Sequence, residues 1–112
     1  MPSEAAGELA SRIRALIGHQ PGVTETRMFG GFGFMLYGNM VAGATKTGSL
    51  LARVGSRYEE ALLRPGAHPM QMGSREMKGF VEVTDEGIDT DEALRDWLTF
   101  SEAFVKTLPP KT

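Results

Sequence analysis

RMFGGFGFMLYGNM, Arg27–Met40, is the stretch whose reading decides how this chain folds. Its middle, Gly30–Tyr37 (GGFGFMLY), comes close to the RNA-binding octamer K/R-G-F/Y-G/A-F-V-x-F/Y, whose strand rings stack on bases. Three readings compete: a nucleic-acid platform, a phosphate-cradling glycine loop, or a packed strand whose glycines make room. The octamer reading fails on element order. That module carries a partner aromatic hexamer on a strand ahead of its first helix, whereas here a helix comes first, and Gly30 stands where a basic residue belongs. The phosphate readings fail too. No lysine follows the glycines in the Walker frame, and a dinucleotide loop would need a glycine at Leu36 and a helix after it. The packing reading remains. Gly30-Gly31 permit a tight turn or bulge, Phe29 folds under the sheet as a plug, and Gly33 leaves space for a neighbouring ring, Phe80 or Trp97.

Outward from this stretch the pattern is regular. Upstream, Ala6, Leu9, Ile13, Leu16 and Ile17 repeat at helical spacing, Ser3 can cap the start and Gly18 stops the run, which predicts a helix over 4–17. Pro21-Gly22 turns into a strand over 23–28. Strands over 32–37 and 40–45 flank a Gly38-Asn39 hairpin, and another covers 49–54. Ser56 with Glu59 reads as a capping box opening a short helix, SRYEEALL. AHPMQM reads as an edge strand because Pro69 cannot donate to a ladder. GSREMK reads as a polar loop, 79–83 as a strand and TDEGID as a connector. A second capping box, Asp89 with Glu92, opens a helix over 91–108 with Leu94, Trp97, Leu98, Ser101, Phe104, Val105 and Leu108 on its stripe. Residues 1–3 and 109–112 are expected to fray. The order predicts one α+β domain: a two-layer sandwich of five to six antiparallel strands with flanking helices, arranged α-β(3–4)-α-β(2)-α.

Composition narrows function. The 112 residues are 41% hydrophobic and 23% charged, as in a globular domain, and no run reaches the roughly 20 apolar residues of a membrane span. The absence of cysteine removes disulfides, thiolate metal sites and cysteine nucleophiles. The start lacks the form of a signal peptide, so a cytoplasmic location is expected. Net charge is −2, but residues 1–80 carry nine basic and six acidic residues and residues 81–112 three and eight, so the acidity is confined to the last third. His19 and His68 are isolated, Glu59 and Glu60 point to different helix faces, and the acidic run DEGIDTDE lacks the glycine and terminal glutamate of a calcium loop. No metal, cofactor or catalytic group is expected.

The residues RMFGGFGFMLYGNMVAGA, SLLARVG, YEEALLRPGAHPM and MKGFVEV together resemble the N-terminal domain of the TfoX/Sxy family. Met28, Phe29, Gly30, Gly31, Gly38, Met77, Lys78, Gly79 and Trp97 stand where that pattern places them. The resemblance implies an α+β fold similar to secretion-chaperone-like domains. It also implies a role near the regulation of DNA uptake (competence), alongside a transcription regulator. Founding members carry a second, C-terminal domain, and this chain is expected to be a stand-alone form without it.

Methionine supplies a separate signal. Seven occur in 112 residues, with Met28, Met35, Met40, Met70, Met72 and Met77 on or beside strands. The strand over 32–37 is apolar on both faces, Phe32, Phe34 and Leu36 on one and Met35 and Tyr37 on the other. Either helices cover both sides or one side meets another chain, and methionine surfaces suit adaptable contacts. The expectation is therefore a non-enzymatic interaction module that forms a homodimer or binds a protein partner through its second sheet face. The alternative is a weak nucleic-acid binder using Arg27, Arg53, Arg75 and Lys78 beside the aromatic strand over 32–37, and the candidate contact residues are Arg27, Met35, Tyr37, Arg53, Arg75 and Phe80.

Overall fold

The structure, a computed structural model, describes residues 2–72 and 74–110. The expected fraying of Met1, Lys111 and Thr112 and the loop position of Gly73 lie outside the described residues, as does the Met72 side chain.

Helix α1, Glu4–Ile17, begins where Ser3 Oγ accepts from the Ala6 N–H at 3.1 Å and closes at Gly18. Ser3 is tied down rather than frayed. Its N–H donates to the Gly30 carbonyl at 3.0 Å and its hydroxyl to the Lys46 carbonyl at 2.6 Å. Four strands follow in a meander: β1 Val23–Met28, β2 Gly31–Leu36, β3 Asn39–Ala44 and β4 Leu50–Arg53. A 3-10 turn, Gly55–Arg57, leads into α2, Tyr58–Leu62. Then come β5 Ala67–Met72, β6 Arg75–Val83, α3 Asp85–Ile88 and α4 Asp91–Val105. All six strands form one antiparallel sheet in the order β1-β2-β3-β4-β6-β5, and the predicted α+β architecture holds.

Several local expectations are corrected. The hairpin between β2 and β3 turns on Tyr37-Gly38, with φ 50° and 85°, and not on Gly38-Asn39; Asn39 already belongs to β3. Tyr37 tolerates the left-handed region because its ring lies on Gly22 and its N–H donates to the Gly22 carbonyl at 2.8 Å. Neither capping box forms. Ser56 sits inside the 3-10 turn and α2 has no side-chain cap, while Thr90 caps α4, accepting from Ala93 N–H at 3.0 Å. The sequence predicted a connector over TDEGID, where α3 now stands, and a polar loop over GSREMK, most of which is the first half of β6. Pairing with β5 overrode the polar composition there. In α4, Phe100 is buried and Phe104 only half-buried, so the stripe is rotated toward α2.

The helices lie on one face. α1 and α4 pack over β2 to β4, and α2 and α3 over β5 and β6. Phe34, Leu36, Ala42, Ala44, Leu50, Ala52, Val81 and Val83 meet Leu9, Ile13, Leu94 and Leu98 in a single core. A bulge between Phe34 and Met35 makes Val41 the extra residue of β3, which is fully buried. Arginine roofs the α2–α4 contact: Arg57 lies 3.7 Å from the Phe100 ring centre, and Arg64 lies 4.3 Å from it and 5.2 Å from that of Trp97.

Candidate docking face of the sheet

Alternation along the strands assigns every second residue to the face away from the helices. The register brings Gly33, Gly43, Leu51 and Glu82 into one row across β2, β3, β4 and β6. The row beside it holds Met35, Met40, Arg53 and Phe80. Two adjacent glycines in a sheet leave a trough floored by backbone. Flexible methionines fold over it: a Cβ on Gly33 would meet Met28 Cε at 2.8 Å, and one on Gly43 would meet Met40 Cε at 3.1 Å. The expected occupant of the Gly33 space was Phe80 or Trp97. Met28 takes it instead, because Trp97 belongs to the helix layer and is 3% exposed.

β6 contributes through an irregularity. Pro69 pairs with Val81 but Gln71 pairs with Glu76, so extra residues of β6 loop out around Gly79, whose φ is 92°. Past that glycine the facing of side chains inverts, which brings Met77 to the trough beside Phe80 and Met70. The result is an apolar groove of about 620 Å³ walled by Met28, Met40, Leu51, Met70, Met77 and Phe80. All six are half-buried, shielding one another, and among the described residues no helix covers them. At the rim stand Lys46 and Phe29, the latter 82% exposed at φ 46°. Phe29 is therefore no plug beneath the sheet; with Gly30 (φ 76°) it forms the turn between β1 and β2. A cleft of about 220 Å³ beside Arg64, Glu86, Asp96 and Trp97 is a third the size.

The remaining motif positions serve the frame. Gly30 and Gly38 supply positive φ, Gly31 lets β3 approach, Trp97 packs under Arg64, and Lys78 is exposed beside the Gly79 irregularity. The basic residues do not form one aromatic-backed platform. Arg27 pairs with Phe32 on the helix side of β1, opposite to Met28. Arg53 rests 5.6 Å from the Phe80 ring centre and 5.8 Å from that of Phe104, and donates to the Met40 carbonyl at 3.4 Å. Arg75 and Lys78 are exposed on β6, and Tyr37 sits in its turn against Gly22. Phe34, at a stacking position of the RNA-binding octamer, is 1% exposed in the core. Sequence reasoning named Met35 and Phe80 but missed Leu51 and Lys46; the alternation of Ser49, Leu51 and Arg53 was the signal that could have placed Leu51 on this face.

The Tyr58 phenol titration is displaced. Tyr58 of α2 donates its phenol proton to Glu76 at 2.5 Å. That bond, then burial and the carboxylate charge, push the phenol up to about 12 from the usual 10.0. Because the folded value lies above the unfolded one, this contribution to stability is full below pH 10 and fades as pH rises toward 12. The phenolate absorbance should show a late-titrating component that Tyr58→Phe removes; its survival in that variant would refute the assignment. Beside it, the hydrogen bond from Arg57 holds the Glu60 carboxyl below its ordinary range.

Among the described residues, no group of three His, Cys, Asp or Glu side chains is placed to hold a metal, and no helix is long and apolar enough to cross a membrane. No curated protein and no solved structure matches the chain. The model of the TfoX N-terminal domain matches residues 15–105, from the last turn of α1 to the end of α4, and so takes in the glycine-floored sheet, the Gly79 irregularity and Trp97. By that match the chain belongs to the TfoX N-terminal domain family.

Proposed function

We propose that this protein is a non-catalytic, cytoplasmic regulatory module that docks an apolar segment of a partner protein in the trough of its open sheet face. One observation carries the reading. All the helices lie on one side of a six-stranded sheet, while the other side presents a groove of about 620 Å³ walled by methionine, leucine and phenylalanine. Water against such a surface is unfavourable, and an apolar face of this kind marks an interaction site. Methionine walls adapt to differing side chains because each has three rotatable bonds. Lys46 at the rim selects a segment that places an acidic residue beside its apolar anchors. The setting that the family resemblance implies, control of DNA uptake alongside a transcription regulator, belongs to the same proposal.

A photo-crosslinking residue replacing Met40 should trap one discrete partner in cells, and the same residue at exposed Ala103 should not. The trapped peptide should be apolar with an acidic residue. Leu51→Asp, which buries a charge on the trough wall, should cut binding by about 2 kcal/mol, roughly thirtyfold, while leaving the fold intact. Equal trapping at both positions, or binding indifferent to Leu51→Asp, would overturn the proposal.

A further inference from the structure

β1 and β5 are the two edges of the sheet. β5 is blunted, since Pro69 offers no N–H and the register shifts beside it. β1 has no such guard. It contains no proline, and its six residues pair with β2 without a break. The Tyr37 N–H bond to Gly22 sets the phase of the ladder. Thr24, Thr26 and Met28 therefore aim their backbone groups at β2, and Glu25 and Arg27 aim theirs away from the sheet.

Charges on an edge strand ordinarily ward off pairing. These two are arranged differently. Both side chains lie on the helix side of β1, opposite Phe34 and Phe32, and they flank Thr26 with opposite sign. We propose that β1 pairs antiparallel with β1 of a second copy of this chain about a two-fold axis at Thr26. Glu25 of each copy then stands directly across from Arg27 of the other, and those two residues exchange their free backbone hydrogen bonds. Moving the axis by one residue would set Glu25 on Glu25 or Arg27 on Arg27, so charge selects the register. Arg14 holds the Glu25 carboxylate at the edge through two bonds of 3.0 Å, leaving its remaining lone pairs available. Arg27 is exposed and enters no ion pair among the described residues. The dimer is a continuous sheet of twelve strands with its two troughs open on the same side. It leaves the trough uncovered and does not depend on what docks there.

Sedimentation velocity over a concentration series should show the intact chain dimerising. Arg27→Glu or Glu25→Arg alone places like charges across both contacts and should weaken the dimer roughly tenfold to a hundredfold. An equimolar mixture of these two variants restores both opposite-charge contacts, so a heterodimer should form where neither variant self-associates. Unchanged circular dichroism checks that each variant is folded. A monomeric native chain, single variants that still dimerise, or a mixture that stays monomeric would each overturn the proposal. Partner trapping at Met40 reports on the trough separately.

Discussion

Gly31→Val is expected to lower the unfolding free energy by more than about 3 kcal/mol, a large share of what a domain this size has. A Cβ on Gly31 would sit 2.0 Å from the Ala44 carbonyl oxygen and 3.1 Å from its carbon. The obstacle is backbone of the paired strand β3, which cannot swing aside as a side chain does. β2 and β3 would have to separate at Phe32↔Ala44, the end of the pairing nearest the Gly30 turn. Gly33→Ala, two residues on, is the control. There the added carbon meets the Cε end of Met28, which can rotate away, so the cost should stay below about 1 kcal/mol. Urea unfolding followed by circular dichroism measures both. Equal costs would mean that the two glycines do the same job, contrary to the geometry.

Phe34→Ala should cost about 3–5 kcal/mol, and Met35→Ala, one residue away, about 1 kcal/mol. Phe34 is 1% exposed and among the largest fully buried side chains, facing α1 across β2. Its truncation removes transfer energy and leaves a cavity. Met35 is half-buried on the opposite face, where solvent already reaches it. The pair tests the division of β2 into a core face and an open face, on which the docking proposal rests. A Met35→Ala cost equal to that of Phe34→Ala would show that a covering layer closes the second face.

The fold was readable in the chain because its signals are local. Apolar spacing in 4–17 marks a helix, alternation and paired turns mark strands, and Ser3 is a cap wherever the helix packs. The local signals failed where a distant partner outvoted them. Arg75 and Glu76 look like loop but are strand because β5 offers them a ladder, and Ser56 cannot cap because the chain enters α2 through a 3-10 turn. The candidate face was half-readable. An apolar strand rich in methionine announced a second interested face; the alternation that puts Leu51 there was legible but unused, and Lys46 joined it only through its turn position.

By itself, the amino-acid order determined the kinds of element, their antiparallel linkage and the structural purpose of the glycine run, since turn chemistry and periodicity act over a few residues. Tertiary structure alone decided that every helix would settle on one side. It also decided that Gly33 and Gly43 would stand side by side beneath Met28 and Met40, and that Gly79 would invert β6 to bring Met77 beside Phe80. These outcomes depend on which strands become neighbours and in what register, and pairing energies between residues far apart in the chain settle both.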